Sequence, residues 1–324
     1  MTQALRLPPN VSFRDEHPDL GDGCAAILRG LRDSPKHTDP MWFYDKRGSE
    51  LFDEITRLPE YYPTRTEVSI LTHHAEAISA YCREGCTLIE PGSGSSDKVR
   101  LLLDALRPAT YVPVDISAEF LRQAAAVLGT DYPWLPVAAV CADFKAGWSF
   151  LDDIPSRRRV VFYPGSTIGN LEPSAAQAFL RTLHEVVGAD GGVLIGVDSH
   201  KDAGILNEAY NDSAGVTAAF NLNILHRLNE LAAADFRPDA FRHHAFYNEP
   251  ERRIEMHLVS GEQQTVTVAG ETIEFAAGES IHTENSYKYS DADFRRLAER
   301  AGFELTESWH DPDRLFGVHF LESV

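Results

Sequence analysis

The clearest pattern in the chain is an alternation of short apolar runs with amphipathic stretches between residues 87 and 199. Each short run, rich in Val, Ile and Leu, predicts a buried strand, and each longer stretch with apolar residues three or four positions apart predicts a helix. Strands are predicted at 87–90, 110–115, 136–141, 159–163 and 192–198, with helices at 97–106, 118–128 and 174–187. This order favours an α/β fold with a doubly wound, largely parallel sheet.

The alternation stops at about residue 200. A helical stretch follows, and then strand-like runs at 241–247, 252–259 and 264–275. After a helix at 291–301, two further strand-like runs are expected to rejoin the parallel sheet, so the segment before them is an insertion. We therefore predict a Rossmann-like domain over 66–199 and 288–324, and a second, discontinuous α+β domain over 1–65 and 200–287.

The N-terminal block contains one predicted helix start and one predicted helix end. Ser49 is expected to cap a helix that ends before Pro59. Tyr61 and Tyr62 come just before Pro63, so both are expected to be extended. A new helix is predicted over 66–80.

Composition limits the classes of function. A formal net charge of −19 argues against a nucleic-acid partner, because phosphate binding needs a basic surface. No apolar run reaches transmembrane length and no signal pattern opens the chain, so we expect a cytoplasmic protein that binds no membrane. The four cysteines lie in no metal-binding spacing, and the pairs His73-His74 and His243-His244 would diverge, so no metal site is expected. We further expect a monomer.

Two glycines and two acids stand at predicted strand ends, where ligands bind in open α/β sheets. Gly92 and Gly94 form a turn between the strand at 87–90 and the next helix, and glycine lets the backbone approach a ligand closely. Asp115 ends the second strand, where a carboxylate can accept both ribose hydroxyl groups. Asp143 and Phe144 end the third strand and suit an adenine ring. Together they predict an adenosine ligand.

The turn also narrows the choice of adenosine ligand. No phosphate-binding loop of the Gly-x-x-x-x-Gly-Lys-Ser/Thr type follows the strand. A dinucleotide would favour a third glycine for its pyrophosphate, and Asp97 occupies that position. S-adenosylmethionine, which has no pyrophosphate, is the better candidate. Lys98 after the turn, Gly165 after the fourth strand and Tyr44 are added to its predicted binding residues.

Three longer motifs resemble one known family. They are the run Trp42-Phe-Tyr-Asp through Tyr61-Tyr-Pro-Thr-Arg-Thr-Glu67, Gly165-Ser-Thr-Ile-Gly-Asn170, and Tyr210-Asn-Asp-Ser-Ala-Gly-Val-Thr-Ala-Ala-Phe-Asn221. They are similar to blocks of the histidine-specific methyltransferases of ergothioneine biosynthesis, and the likeness extends from about residue 41 onward. The resemblance implies S-adenosylmethionine-dependent trimethylation of the α-amino group of L-histidine to hercynine. It also implies two domains, with the substrate bound by the N-terminal block and the late insertion.

The resemblance also implies roles for individual residues. Asn170 and Tyr210 would hold the substrate carboxylate, and Tyr44 and Tyr61 would line the amine and imidazole region. Tyr44, Tyr61 and Asn170 are the residues expected to act in catalysis. Phenols and an amide suit this work because they orient a substrate by hydrogen bonds without adding a competing charge.

Substrate choice is predicted to depend on the segment at 283–288. Glu284 and Ser286 lie on one side of an extended strand, and the resemblance implies that they bind the imidazole nitrogens, with Met256 against the ring. A carboxylate on an imidazole N–H favours histidine, because an apolar ring would leave a buried acid unpaired.

Three rival functions remain open at this point. The nearest is a methyltransferase of the same family that acts on tryptophan or another aromatic amino acid. The second is a module that binds S-adenosylmethionine without turnover. The third is an NAD-dependent oxidoreductase, which Asp97 disfavours. Pro91, where many methyltransferases have an apolar residue such as leucine, is a departure that concerns cofactor affinity.

Overall fold

The computed structural model describes residues 6–16, 23–144, 146–154 and 157–324. Its strands are β1 Val11–Asp15, β2 Lys36–His37, β3 Thr87–Pro91, β4 Thr110–Asp115, β5 Val137–Cys141, β6 Arg159–Tyr163, β7 Gly192–Asp198, β8 Phe241–Asn248, β9 Arg253–Ser260, β10 Gln264–Val268, β11 Glu271–Phe275, β12 Ser280–Tyr287, β13 Phe303–His310 and β14 Phe316–Ser323. Its α-helices are α1 Gly23–Arg32, α2 Lys46–Ile55, α3 Tyr62–Cys82, α4 Asp97–Leu106, α5 Ala118–Asp131, α6 Pro173–Val187, α7 Ala203–Ala209, α8 Val216–Leu231 and α9 Asp291–Glu299.

An eight-stranded sheet organises the larger part of the chain, in the order β1-β5-β4-β3-β6-β7-β14-β13. The first six strands in this order, β1, β5, β4, β3, β6 and β7, run parallel to one another. Strand β14 is antiparallel to both β7 and β13. The predicted α/β class, with a parallel sheet that the last two strands rejoin, is confirmed. Strand order reverses between β3 and β6, which places a ligand crevice at their carboxyl ends.

Both faces of this sheet are covered by helices. Strands β3 and β7 are buried along their whole length, which explains their nearly continuous apolar sequence. On one face α6 and α9 contribute Leu180 and Phe294 to the core. On the other face α3 and α4 contribute Leu71 and Leu102.

A second, four-stranded sheet has the order β2-β12-β9-β8. Its inner face packs against α8, so that Ile224 and Leu225 share a core with Met256 and Ile281. The hairpin β10–β11 continues the same core. Within the described residues, the helices are too short or too polar to cross a membrane.

Three local expectations were wrong. Strand β1 pairs with β5 in the large sheet instead of joining the second domain, and Asn10 secures it through hydrogen bonds to three carbonyl groups in the last turn of α5 and the segment after it. Asp45 caps α2 through the N–H of Gly48, and Ser49 lies inside that helix. Tyr62 is the first residue of α3, since a proline is well tolerated in a helix's first turn. The predicted domain division otherwise remains a prediction.

Candidate active site

The turn after β3 brings three predicted cofactor residues together. Gly92 and Gly94 have φ angles of 70° and 52°, a left-handed conformation that favours glycine. The N–H of Gly94 donates to Asp115 Oδ2 at 3.2 Å, and the N–H of Ser117 donates to Oδ1 at 2.9 Å. Burial raises the pKa of Asp115, and these backbone donors oppose that shift. The acid at the end of β4 is therefore held against the glycine turn.

Asp143 and Phe144 follow β5 on the same edge of the sheet. Both are partly buried, and the Phe144 ring packs near Trp148 and Phe179, with ring centroids 6.1 Å away in each case. A Cβ built on Gly92 would lie 4.0 Å from Phe144 Cε1, so the ring is adjacent to the turn. Gly92, Gly94, Asp115 and Phe144 thus border one crevice, and Asp143 precedes Phe144 on the same edge of the sheet.

Glu67 links two further predicted residues, and its function was not recognised in the sequence. Its carboxylate accepts hydrogen bonds from the backbone N–H of Gly165 at 2.9 and 3.0 Å and from Lys98 Nζ at 2.5 Å. The Glu67 side chain is 1% exposed. Gly196 on β7 leaves room for it, because a Cβ there would lie 2.0 Å from Glu67 Oε1. The only signal in the sequence was that Glu67 ends the first family-like motif.

A second buried acid, Glu90, lies beneath the glycine turn. Tyr111 donates to its Oε2 at 2.5 Å, and burial raises the pKa of Glu90 to about 8. The Tyr111 hydroxyl is also 3.0 Å from Ser96 Oγ, at the start of α4. This group ties β3, β4 and α4 together below the crevice.

Aromatic rings from four segments cluster on the side of the second sheet. Tyr44 follows the short 3₁₀ helix Pro40–Phe43, and its ring lies 5.9 Å from Phe52 and 6.0 Å from Phe220. Tyr61 lies 6.4 Å from Phe52 and 6.3 Å from Tyr210. Desolvation of the hydroxyl groups, together with neighbouring acidic side chains and phenols, raises the pKa of Tyr44 and Tyr61 well above the usual range, although Tyr44 as a whole is 46% exposed. Both groups are therefore neutral phenols at physiological pH.

Asn170 and Glu284 meet between the two sheets. Asn170 ends the short 3₁₀ helix Thr167–Asn170 after β6, and its Nδ2 donates to Glu284 Oε1 at 3.2 Å. Burial raises the pKa of Glu284 to about 7, while the Lys288 ammonium opposes the shift. The negative charge of Glu284 also contributes to the raised pKa of Tyr44.

A β-bulge at Thr283 determines which way Glu284 faces. His282 pairs with His257 in the register of β12 and β9, and Glu284 pairs with the adjacent Met256. The extra residue, Thr283, donates through its hydroxyl to Asn221 Oδ1 at 2.8 Å and is also 3.0 Å from the Met256 carbonyl. A bulge reverses the alternation of side chains. Glu284 and Met256 consequently lie beside each other on the inner face of the sheet.

Behind Ser286 lies a buried polar network that the sequence did not indicate. Tyr210 donates to Ser286 Oγ at 2.9 Å, and Lys288 Nζ donates to the same atom at 2.7 Å. Lys288 also pairs with Asp198 Oδ2 at 2.7 Å, and Lys201 pairs with Oδ1 at 2.6 Å. In the sequence, Asp198 could be recognised only as the acidic residue that ends the predicted strand at 192–198.

Two groups among the described residues could hold a metal ion. They are Glu255, His257 and His282 on the small sheet, and Asp291, His310 and His319 near α9. In each group an arginine already binds the carboxylate, Arg253 in the first and Arg314 in the second. A guanidinium so close disfavours a cation.

Comparisons with known proteins identify the family of this chain. The model of a family described as histidine-specific, S-adenosylmethionine-dependent methyltransferases matches residues 24–323. The histidine N-alpha-methyltransferase of Mycolicibacterium smegmatis is 46% identical over 92% of this chain and 95% of its own length. The protein of the same name from Mycobacterium tuberculosis is 42% identical over 90% of this chain and 92% of its own.

A fungal relative shares a smaller part of its sequence. Ergothioneine biosynthesis protein 1 of Neurospora crassa is 32% identical over 90% of this chain, which corresponds to 33% of the fungal protein. The bacterial matches, by contrast, run along nearly the whole of both chains. The chain therefore belongs to the histidine-specific, S-adenosylmethionine-dependent methyltransferase family.

Proposed function

We propose that this protein transfers three methyl groups in succession from S-adenosylmethionine to the α-amino group of L-histidine, giving hercynine for ergothioneine biosynthesis. Family membership and the two mycobacterial histidine N-alpha-methyltransferases support the reaction. The observation that carries the choice of substrate is the partly buried carboxylate of Glu284, which Asn170 holds between the two sheets. Besides the N–H of Asn170, this carboxylate can accept a second N–H, and an imidazole ring supplies one.

The residues at the strand ends fit the methyl donor. A Cβ on Gly94 would meet no atom within 4 Å, so a ligand can approach the turn directly. Asp115, with one oxygen on each of two backbone N–H groups, keeps lone pairs for two ribose hydroxyls. Asp143 and Phe144 would hold the adenine. The remaining proposed donor contacts are Tyr44, Gly92, Lys98 and Gly165.

When bound, S-adenosylmethionine supplies a methyl group activated by its sulfonium centre. Displacement at such a centre requires the attacking lone pair to be aligned with the methyl group. Tyr44 and Tyr61 would orient the amine by hydrogen bonds, and their raised pKa keeps them neutral as they do so. The rings of Phe52 and Phe220 pack against Tyr44 and would support its orientation.

The carboxylate and the imidazole ring of the amino acid would hold it in the site. Asn170 has a second N–H that is available for the substrate carboxylate, and Tyr210, whose hydroxyl proton is donated to Ser286, would line the pocket beside it. Glu284 would accept the imidazole N–H, Ser286 would contact the other ring nitrogen, and Met256 would pack against the ring. Binding at both ends fixes the amine between them.

Mass spectrometry of the reaction products tests this proposal. The purified protein is incubated with S-adenosylmethionine and a panel of single amino acids that includes histidine, tryptophan and phenylalanine. We expect mono-, di- and trimethylated histidine, with matching release of S-adenosylhomocysteine. Methylation of tryptophan in preference to histidine would overturn the substrate assignment, and donor binding without turnover on any amino acid would overturn the enzymatic one.

A further inference from the structure

Lys288 is a buried cation whose position is not explained by the contacts proposed above. Its side chain is 1% exposed, and its Nζ lies 2.7 Å from Ser286 Oγ and 3.4 Å from the Tyr210 hydroxyl. We propose that Lys288 is a positioning residue that fixes the Ser286 hydroxyl as a hydrogen-bond donor toward the substrate. The site then selects a neutral imidazole that presents N–H to Glu284 and an unprotonated nitrogen to Ser286. This inference rests on the proposed function.

The argument starts from the hydrogen-bonding capacity of Ser286. A serine hydroxyl has two lone pairs and one proton, and an ammonium can only donate. Lys288 therefore occupies one lone pair of Ser286 Oγ, and the Tyr210 hydroxyl, which donates at 2.9 Å, occupies the other. Only the proton of Ser286 is left to bind a ligand.

Asp198 keeps the ammonium in this position. Its carboxylate binds Lys288 at 2.7 Å and Lys201 at 2.6 Å, and Tyr62 donates to both of its oxygens at 2.8 Å. Burial raises the pKa of Asp198, but the two ammonium groups outweigh that effect and lower it. The carboxylate is thus ionised, and it opposes any rotation of Lys288 away from Ser286.

Glu284 provides the complementary half of the recognition. An ionised carboxylate only accepts hydrogen bonds, whereas Ser286, with its lone pairs occupied, only donates. An imidazole with one N–H and one free lone pair satisfies both groups. An imidazolium would meet Ser286 with a second N–H, and a ring that has carbon at the accepting position would leave the Ser286 proton unpaired.

The test compares histidine with two analogues, 3-(pyrrol-2-yl)alanine and 3-(pyrrol-3-yl)alanine, each of which replaces one ring nitrogen by carbon. Steady-state kcat/KM is measured for wild type, Lys288→Met and Ser286→Ala. In wild type we expect histidine to be preferred over the better analogue by roughly ten- to hundredfold. In Lys288→Met this ratio should fall about tenfold, mainly through a higher KM for histidine, with a smaller change in kcat.

Lys201→Met is the matched control. It removes a buried ammonium from the same carboxylate but does not touch Ser286, so the preference ratio should stay within about twofold of wild type. Either single variant leaves Asp198 paired with one remaining lysine, so both variants lower the charge of the network by the same amount. Binding of S-adenosylhomocysteine to each variant verifies that it is folded.

The double variant Lys288→Met/Ser286→Ala separates positioning from general support of the fold. If Lys288 acts through Ser286, the loss of preference in the double variant should equal that of Ser286→Ala alone. Additive losses, an equal effect of Lys201→Met, or a Ser286→Ala variant with the wild-type ratio would each overturn the proposal. If wild type methylates no histidine, the proposed function fails instead, and this outcome is distinct from all of these.

Discussion

The amide of Asn170 donates a hydrogen bond to the carboxylate of Glu284 at 3.2 Å, although the two residues are 114 positions apart. This contact joins the loop after β6, at the carboxyl edge of the large sheet, to β12 of the small one. It therefore connects the crevice proposed for the methyl donor with the groups proposed to select the amino acid.

Removal of the Glu284 carboxylate should impair substrate choice far more than donor binding. We expect Glu284→Ala to lower kcat/KM for histidine by roughly ten- to hundredfold, because the imidazole N–H loses its acceptor. The affinity for S-adenosylmethionine, measured by calorimetry, should change by less than about threefold. Glu251→Ala, at an exposed position before β9, is the control. Wild-type preference for histidine over tryptophan in Glu284→Ala would show that the pocket is wrongly assigned.

The pH dependence should carry the signature of the same residue. Because burial raises the pKa of Glu284 to about 7, the carboxylate is ionised above that pH and protonated below it. We expect kcat/KM for histidine to fall as the pH decreases from about 8 to about 6. In Glu284→Gln this component should disappear, leaving only the titration of the substrate, which is common to both proteins. Superimposable pH profiles would contradict the assignment.

The bulge at Thr283 should be necessary for the direction of Glu284. Thr283→Val keeps the shape of the side chain but leaves the buried Asn221 Oδ1 without its donor, at a cost of about 1–3 kcal/mol in the free energy of unfolding. We expect KM for histidine to rise as well, since the register that aims Glu284 inward is weakened. Thermal unfolding and kinetics check this, with Thr272→Val on an exposed part of β11 as the control. An unchanged KM in a destabilised protein would limit Thr283 to a structural role.

Glu67 should contribute to donor binding by holding the loop at Gly165. We expect Glu67→Gln to weaken S-adenosylmethionine binding by about tenfold and to lower the free energy of unfolding by roughly 1–3 kcal/mol, because one buried acceptor is lost. Gly196→Ala should act similarly, since its Cβ would displace the Glu67 carboxylate. Glu76→Gln, exposed on the same helix, is the matched control. Donor affinity equal to wild type in both variants would exclude this role.

The local pattern of apolar and polar residues was sufficient to predict the parallel sheet and the helices that flank it. Apolar runs of strand length, separated by amphipathic helices, predict a parallel sheet, and the carboxyl ends of its strands necessarily share an edge. Gly92, Asp115 and Asp143 could for this reason be grouped from the sequence alone. The predicted roles of Tyr44, Tyr61 and the other site residues came from the family-like motifs and stay predictions.

Other features depended on contacts between distant parts of the chain. Strict alternation would place His282 and Glu284 on one face of β12, and only the pairing with β9 reveals the bulge that separates them. In the same way, the sequence shows Asp198 and Lys288 only as two charged residues that are far apart in the chain. The fold brings them together as a buried ion pair. Sequence by itself determined where strands and their ligand-facing ends lie, because those follow from local periodicity. The tertiary structure alone decided which polar groups are desolvated together, because burial and pairing depend on residues that are far apart in the chain.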